Sequence, residues 1–261
     1  MEAIKFTKMV GSGNDFIVIT DKPSGSLPKL AKALCDRKFG IGADGVLLLG
    51  KSKGADLSMR IFNADGSEAQ MCGNGARCAA LFSGRAKSRI QTCAGIVPAE
   101  VYGNRVKIQI TYPKQIKLDI PLKVNGRTIK VNFINTGVPH VVIFVSGIDG
   151  IDLTCLGRAI RQHKQFLPYG TNVNFVEEMG GNFIRIRTYE RGVEDETLAC
   201  GTGSTAAALI FALKRNLNNL IRVQTQSGEI LKIYFQRAGL DFSQVWLEGS
   251  ARIAYKGEYY V

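Results

Sequence analysis

Met71-Cys72-Gly73-Asn74-Gly75 and, much later, Ala199-Cys200-Gly201-Thr202-Gly203 are two versions of one phrase. Each sets a cysteine before Gly-x-Gly and leads into an alanine-rich apolar run. A thiol at the mouth of a helix lies where backbone N–H groups and the helix dipole favour an anion, so its thiolate becomes accessible below the usual pKa of about 8.5. Two such sites suggest a matched base and acid.

The rest of the chain repeats around this pair. Asp44 precedes Cys72 by 28 residues, and Asn172 precedes Cys200 by 28. Arg60-Ile61-Phe62-Asn63-Ala64-Asp65-Gly66 is echoed by Ile186-Arg187-Thr188-Tyr189-Glu190-Arg191-Gly192 at nearly the same distance upstream. Downstream, Ile90-Gln91-Thr92-Cys93-Ala94-Gly95 is echoed by Val223-Gln224-Thr225-Gln226-Ser227-Gly228. Gly11-Ser12-Gly13-Asn14-Asp15-Phe16-Ile17-Val18 has a counterpart in Asn135-Thr136-Gly137-Val138-Pro139-His140-Val141-Val142. Long-period self-similarity signals a repeated structural unit. Two copies imply two similar lobes, each presenting one cysteine to a cleft between them.

Composition bounds the answer. A length of 261 residues suits two lobes of ordinary domain size, expected at 1–113 and 114–250, with 251–261 able to cross back to the first. Apolar content of 45% and charged content of 21% are those of a soluble globular chain. No run approaches the ~20 apolar residues of a membrane span, and the first residues lack a signal peptide's apolar core, so a cytoplasmic protein with no membrane partner is expected. The net charge of +12 comes from dispersed basic residues, which read as a solvated surface and not as a nucleic-acid footprint. With two histidines in the chain and no Cys-x-x-Cys pair, no metal centre is expected.

Strands are expected at Phe16 to Thr20, Ile61-Phe62, Val97 to Val101, Val106 to Ile110, Thr128 to Ile134, His140 to Val145, Phe183 to Arg187, around Val223, at Ile230 to Phe235 and at Val245-Trp246-Leu247. Helices are expected at Pro28 to Lys38, with Gly40 as the stop, at Gly75 to Phe82, and around Leu153, Leu156 and Ile160. Ser204 to Leu213 is apolar almost all round. Such a helix is buried on every side, so a sheet should surround it and its first-lobe counterpart. The fold class is α/β (α+β), each lobe a mostly antiparallel sheet wrapped round a central helix.

Isolated cysteines usually serve packing, and Cys35, Cys78, Cys93 and Cys155 are read that way. Cys72 and Cys200 differ because the same unusual setting occurs twice in a repeat. A nucleophilic cysteine would need one thiol and a partner histidine. A redox pair is the competing reading from a different class, with Cys72 and Cys200 bridging.

Gly11-Ser12-Gly13-Asn14-Asp15-Phe16, Asn63-Ala64-Asp65-Gly66-Ser67-Glu68, the string from Met71 to Cys78, Tyr189-Glu190-Arg191-Gly192, and Ala199 to Gly203 together closely resemble the diaminopimelate epimerase family, in its order and spacing along essentially the whole chain. The resemblance implies a two-base epimerase without cofactor or pyridoxal that interconverts LL- and meso-2,6-diaminopimelate for lysine and peptidoglycan precursors. It also implies a homodimer with a small-molecule substrate. One thiolate of the pair Cys72 and Cys200 removes the α-proton and the opposing thiol delivers another. By the same resemblance the backbone N–H groups of Gly73, Asn74, Gly201 and Thr202 grip the reacting carboxylate, and His140 and Glu190 lie near the reacting amine. Asn63, Asn172 and Arg191 read the distal amino and carboxylate groups, and Asn14 touches the substrate too. Outside that context the asparagines are ordinary turn residues and Glu190-Arg191 an ordinary surface pair. Two positions depart from the family pattern. Val138 stands where many members have Asn, and Gly45 where some have Gln, so neither supplies the distal contact that an amide there would make. A racemase of the same superfamily with another substrate is the nearest alternative.

Overall fold

A helix made of Gly, Ser, Thr and Ala followed by Leu209-Ile210-Phe211 has no polar face to turn to water, so it must be enclosed. The computed structural model, which describes residues 3–21 and 24–260, shows this enclosure twice. Helix α4 (Gly201–Arg215) is buried without a break from Gly203 to Ala212, and α2 (Gly73–Phe82) from Asn74 to Ala80. The chain divides into two compact units, residues 1–109 with 249–261, and residues 110–248.

In the first unit the strands are β1 (Ala3–Gly11), β2 (Asn14–Ile19), β3 (Gly45–Gly50), β4 (Leu57–Asn63), β5 (Glu68–Ala69), β6 (Lys87–Thr92), β7 (Gly95–Tyr102), β8 (Arg105–Gln109) and, from the far end of the chain, β18 (Arg252–Tyr260). Following the pairings gives the order β18, β1, β2, β3, β4, β6, β7, β8, with β5 added beside β4. All neighbours are antiparallel except β2 with β3 and β4 with β6. Each parallel pair needs a crossover, supplied by α1 (Leu27–Cys35) and by α2. Helix α2 touches every strand of the order, so the sheet curls round it. Helix α1 lies on β3 and β4 and buries Leu27, Ala31, Leu34 and Cys35 against Ile17, Ile19, Val46 and Phe62.

The second unit repeats this plan. Its strands are β9 (Lys114–Val124), β10 (Arg127–Asn135), β11 (Pro139–Phe144), β12 (Asn172–Gly180), β13 (Phe183–Glu190), β14 (Asp195–Thr197), β15 (Asn219–Gln224), β16 (Ile230–Ala238) and β17 (Asp241–Ser250). The order is β9, β10, β11, β12, β13, β15, β16, β17, with β14 beside β13 and the parallel pairs again second with third and fourth with fifth counting from β10. Helix α3 (Leu153–Arg161) takes the part of α1, and α4 that of α2. The two enclosed helices and the mixed, mostly antiparallel sheets bear out the expected fold class.

Three local readings change. Helix α1 stops at Cys35 and not at Lys38, because the Asp36 carboxylate accepts from the backbone N–H of Lys38 (2.7 Å) and Phe39 (2.8 Å) and turns the chain there. Strand β9 escaped the sequence reading although Ile116, Leu118, Ile120, Leu122 and Val124 alternate. Pro121 argues against a strand, and β9 tolerates it where it pairs with Lys130 of β10. Cys35 and Cys78 are buried as expected, but Cys93 and Cys155 are exposed. Cys93 occupies the tight turn between β6 and β7, and Cys155 a solvent-facing position of α3, so neither packs a core.

Leu209 of α4 is fully buried. Leu209→Ala should cost about 2–5 kcal/mol through lost burial and a residual cavity, read as a lower urea midpoint with an unchanged slope.

Candidate active site

Each enclosed helix begins with its cysteine as N-cap. Cys72 is extended (φ −139°, ψ 123°), and its Sγ accepts from the Gly75 N–H at 3.5 Å. Cys200 is likewise extended (φ −117°, ψ 111°), and its Sγ accepts from the Gly203 N–H at 3.4 Å. A sulfur acceptor three residues before the N–H it binds is the serine or aspartate cap with a different atom. The first intrahelical bonds run from Ala76 to the Cys72 carbonyl and from Ser204 to the Cys200 carbonyl, both 2.8 Å. By helix geometry the N–H groups of Gly73 and Asn74, and of Gly201 and Thr202, are then left for an outside acceptor.

The glycine of each cap is there for space. A Cβ on Gly75 would stand 3.0 Å from Leu47 Cδ2, and one on Gly203 only 2.4 Å from Asn174 Oδ1 and 3.2 Å from the Cys200 sulfur. The other buried thiols are chemically quiet. Burial pushes Cys78 up to about 12 and Cys35 up to about 11.

In the first unit a two-residue turn, Ser12-Gly13, with φ of 51° and 90°, reverses the chain between Gly11 and Asn14 and delivers Asn14 to the cap of α2. Asn74 Nδ2 donates to Asn14 Oδ1 at 2.6 Å, and Asn14 Nδ2 donates to Asp44 Oδ2 at 2.9 Å. Asn63 is exposed at the end of β4, with its Nδ2 donating to Ser67 Oγ at 2.9 Å.

In the second unit β11 and β12 run parallel with His140 beside Asn172. His140 is fully buried. Asn174 Nδ2, which also donates to the Val141 carbonyl (2.8 Å), lies 3.2 Å from His140 Nδ1, while Thr188 Oγ1 donates to Asn174 Oδ1 at 3.1 Å. An amide nitrogen can only donate, so Nδ1 accepts and the proton sits on Nε2. That Nε2 is buried and has no hydrogen-bond partner among the described residues. Burial, with the Arg191 charge adding to it, drives the imidazole down to about 3, so it is neutral at physiological pH.

Glu190 closes β13, and burial raises its carboxyl, only partly offset by the neighbouring Thr197 and Cys200 side chains. Asn172 is held by backbone on both sides. Its Nδ2 donates to the Pro139 carbonyl at 3.0 Å and its Oδ1 accepts the Arg191 N–H at 2.9 Å. The Arg191 guanidinium donates to the Tyr169 carbonyl at 3.0 Å. Thr136 Oγ1 donates to the Thr202 carbonyl at 3.0 Å and ties the β10–β11 turn, which carries Val138, to the start of α4.

The structure therefore groups Cys72, Gly73, Asn74 and Asn14 in one unit, and Cys200, Gly201, Thr202, His140, Asn172, Glu190 and Arg191 in the other. Asn174, Thr188, Tyr169, Asp44 and Arg77 support these groups and were not singled out from sequence. Asn174 carried a signal, an amide set among Val173, Phe175 and Val176, which once buried must be bonded to something. Among the described residues no cluster of three or more His, Cys, Asp or Glu side chains could hold a metal ion, and no helix is long and apolar enough to cross a membrane.

This fold is shared with solved structures. A phenazine biosynthesis protein of the PhzF family from Bacillus anthracis superposes with a TM-score of 0.78 at 18% identity, over the whole of both chains. A hydroxyproline epimerase from Agrobacterium vitis does so with 0.70 at 18% identity, over 98% of this chain and 92% of that one. Sequence narrows the class. The diaminopimelate epimerase family model matches residues 6–115 and 132–252. Diaminopimelate epimerases from Aquifex aeolicus (42% identical, 97% of each chain covered) and Archaeoglobus fulgidus (44% identical, 88% of this chain and 89% of that one) are close relatives. The chain belongs to the diaminopimelate epimerase family and is an isomerase.

A buried neutral histidine has a pH signature. Unfolded chain protonates a histidine near its ordinary 6.5 while folded His140 stays neutral to about 3, so the unfolded state binds more protons between those values. Stability accordingly falls as pH drops below 6.5, by at most about 1.4 kcal/mol per unit. Glu190, raised in the folded state, acts in the opposite sense, which makes a paired comparison necessary. In urea titrations at pH 7 and pH 5 the wild type should lose about 2 kcal/mol more than His140→Asn. Equal losses would show that His140 titrates normally.

Proposed function

We propose that Cys72 and Cys200 are the base and acid of a two-base epimerisation of 2,6-diaminopimelate. The observation that carries this reading is the duplicated cap, a thiol held at the start of an enclosed helix at corresponding points of two units with the same strand order. Inversion at a carbon requires one proton taken from one face and another given to the opposite face. Two thiols in equivalent settings supply both roles in both directions. The thiolate removes the α-hydrogen, the carbanion forms, and the second thiol protonates it; in the reverse direction the roles exchange.

The α-hydrogen is a very weak acid, so the barrier is set by charge developing on the carbanion and its carboxylate. N–H groups of Gly73, Asn74, Gly201 and Thr202, aligned with two helix dipoles, hold that carboxylate more tightly as its charge grows. His140 and Glu190 serve the reacting amine. Neutral His140 offers an Nε2 donor already stripped of water, and Glu190 sits in surroundings that favour its protonated form. Asn14, Asn63, Asn172 and Arg191 bind the remainder of the substrate. Arg191 suits the distal carboxylate because its fork can bind both oxygens. No cofactor takes part. We place the enzyme in the cytoplasm as a homodimer on its resemblance to the family, in lysine and peptidoglycan precursor synthesis.

Wild-type protein with LL-diaminopimelate in deuterated buffer under reducing conditions should incorporate deuterium at the α-carbon while forming the meso isomer. Cys72→Ala and Cys200→Ala should each lower kcat by about 100- to 10,000-fold, the usual worth of positioned acid–base groups. Full activity in either variant would refute the pairing. Arg191→Lys keeps the charge but loses the fork. It should raise KM about 10-fold with a smaller change in kcat, measured against both isomers.

A further inference from the structure

Asn14 and Asn74 belong to a chain of hydrogen bonds whose two ends are ionic. At one end Arg77, fully buried in α2, donates from its terminal nitrogen to Asn74 Oδ1 at 2.8 Å and to Ser12 Oγ, and from Nε to the Ser250 carbonyl at 3.4 Å. A guanidinium has donors only, so the Asn74 atom facing it must be oxygen. That places the Asn74 nitrogen toward Asn14, which must answer with its own oxygen (2.6 Å). The Asn14 nitrogen then faces Asp44, whose carboxylate only accepts (2.9 Å). Neither amide can turn over without setting donor against donor at one contact and acceptor against acceptor at the next.

Asp44 is itself fixed. Its Oδ2 also accepts the Asp15 backbone N–H at 3.1 Å, and its Oδ1 accepts Arg37 at 2.8 Å. Arg37 reaches Asp15 as well, at 2.8 and 3.2 Å, and Lys8 pairs with Asp15 at 2.7 Å. The second unit also bonds backbone from the corresponding place, through a different pair of strands. Asn172, which holds the Asp44 position in the repeat, orients the backbone N–H of Arg191.

We infer that Asp44, acting through Asn14, and Arg77, acting through Asn74, are positioning residues of the epimerase. They set the direction of both amides, so that Asn14 always presents its nitrogen side in the same orientation when substrate binds. The inference rests on the function proposed above. It treats Asp44 as an acceptor for Asn14 and not chiefly as the ionic partner of exposed Arg37.

These two roles separate experimentally. Asp44→Ala removes the acceptor and should lower kcat/KM about 10-fold, mainly through KM. Asp44→Asn loses the charge but can keep its oxygen toward Asn14 and the Asp15 N–H, so it should stay within about 3-fold of wild type. In the Asn14→Ala background Asp44→Ala should have no further effect, since the group it positions is gone. An Asp44→Asn defect equal to that of Asp44→Ala, or losses that multiply in the double variant, would overturn the inference. A readout independent of turnover guards against misfolding. The Asn14 side-chain amide protons, followed by 1H–15N correlation, should be protected from solvent exchange in wild type and Asp44→Asn and lose protection in Asp44→Ala. Unchanged protection in Asp44→Ala would also overturn the relay. If wild-type protein fails to exchange the α-hydrogen of diaminopimelate, the proposed function falls while the amide resonances still decide the relay.

Discussion

Enclosure of a helix by its own sheet is the constraint from which the rest follows. A helix on a protein surface finds water for its first N–H groups, whereas α2 and α4 are buried from their first turns. Unbonded N–H groups in such a place cost about 1–3 kcal/mol each. The chain satisfies one of them with the sulfur of the residue that begins the helix, at Gly75 and at Gly203. The demand for residues small enough to be surrounded accounts for the alanines, and the demand for close approach at the cap accounts for the glycines. The N–H groups that remain are oriented along the helix axis and left for an outside acceptor. On the proposed function, structure and chemistry have one cause, because the arrangement that lets the helix be buried also sets a thiol beside N–H groups that an anion can use.

The two units share a plan but stabilise their polar groups differently. The first places charge inside. Lys8, 6% exposed, donates to the Gly42 carbonyl and pairs with Asp15, and Arg77 is wholly buried. Burial alone would raise the Asp15 carboxyl, but hydrogen bonds from Arg37 and Lys8 outweigh it and hold the group well below the usual carboxylate range. The second unit uses neutral groups at the matching level, with His140, Asn174 and Thr188 bonded to one another. Charges buried with good partners impose direction on the amides between them, whereas a neutral network leaves His140 able to donate from Nε2. The duplicated thiols therefore belong to two units with distinct electrostatic surroundings.

Much of this was legible in the sequence, for reasons that differ by element. The duplicated cap, the enclosed helices and the fold class could be read because helix burial is written in composition and the repeat in spacing. The end of α1 could not be read from Gly40, because the side chain of Asp36 competes for the backbone four residues earlier. Strand β9 was hidden by Pro121. Of the residues named from motifs, Asn14 meets Asn74 at the cap of α2 and Glu190 lies by Cys200, but the partners that support them were not named. Asn174 reaches His140 across a parallel strand pair and Asp44 reaches Asn14 across another, and such contacts depend on register. Nothing in local sequence states which of two strands will lie alongside.

The departures at positions 45 and 138 take on a physical meaning in this setting. Gly45 is buried between β2 and β4, and a Cβ there would meet the Phe62 carbonyl oxygen at 2.8 Å. A glutamine at this point would require β4 to move, so this chain cannot recruit a contact from position 45 with its strands as they stand. Val138, in the β10–β11 turn, offers no amide. On the proposed function, recognition of the distal group then falls more heavily on Arg191 and Asn172. Those two are braced accordingly, Arg191 through both its backbone N–H and its guanidinium, and Asn172 through both ends of its amide. Fewer polar contacts can discriminate as well as many when the ones that remain lose little freedom on binding.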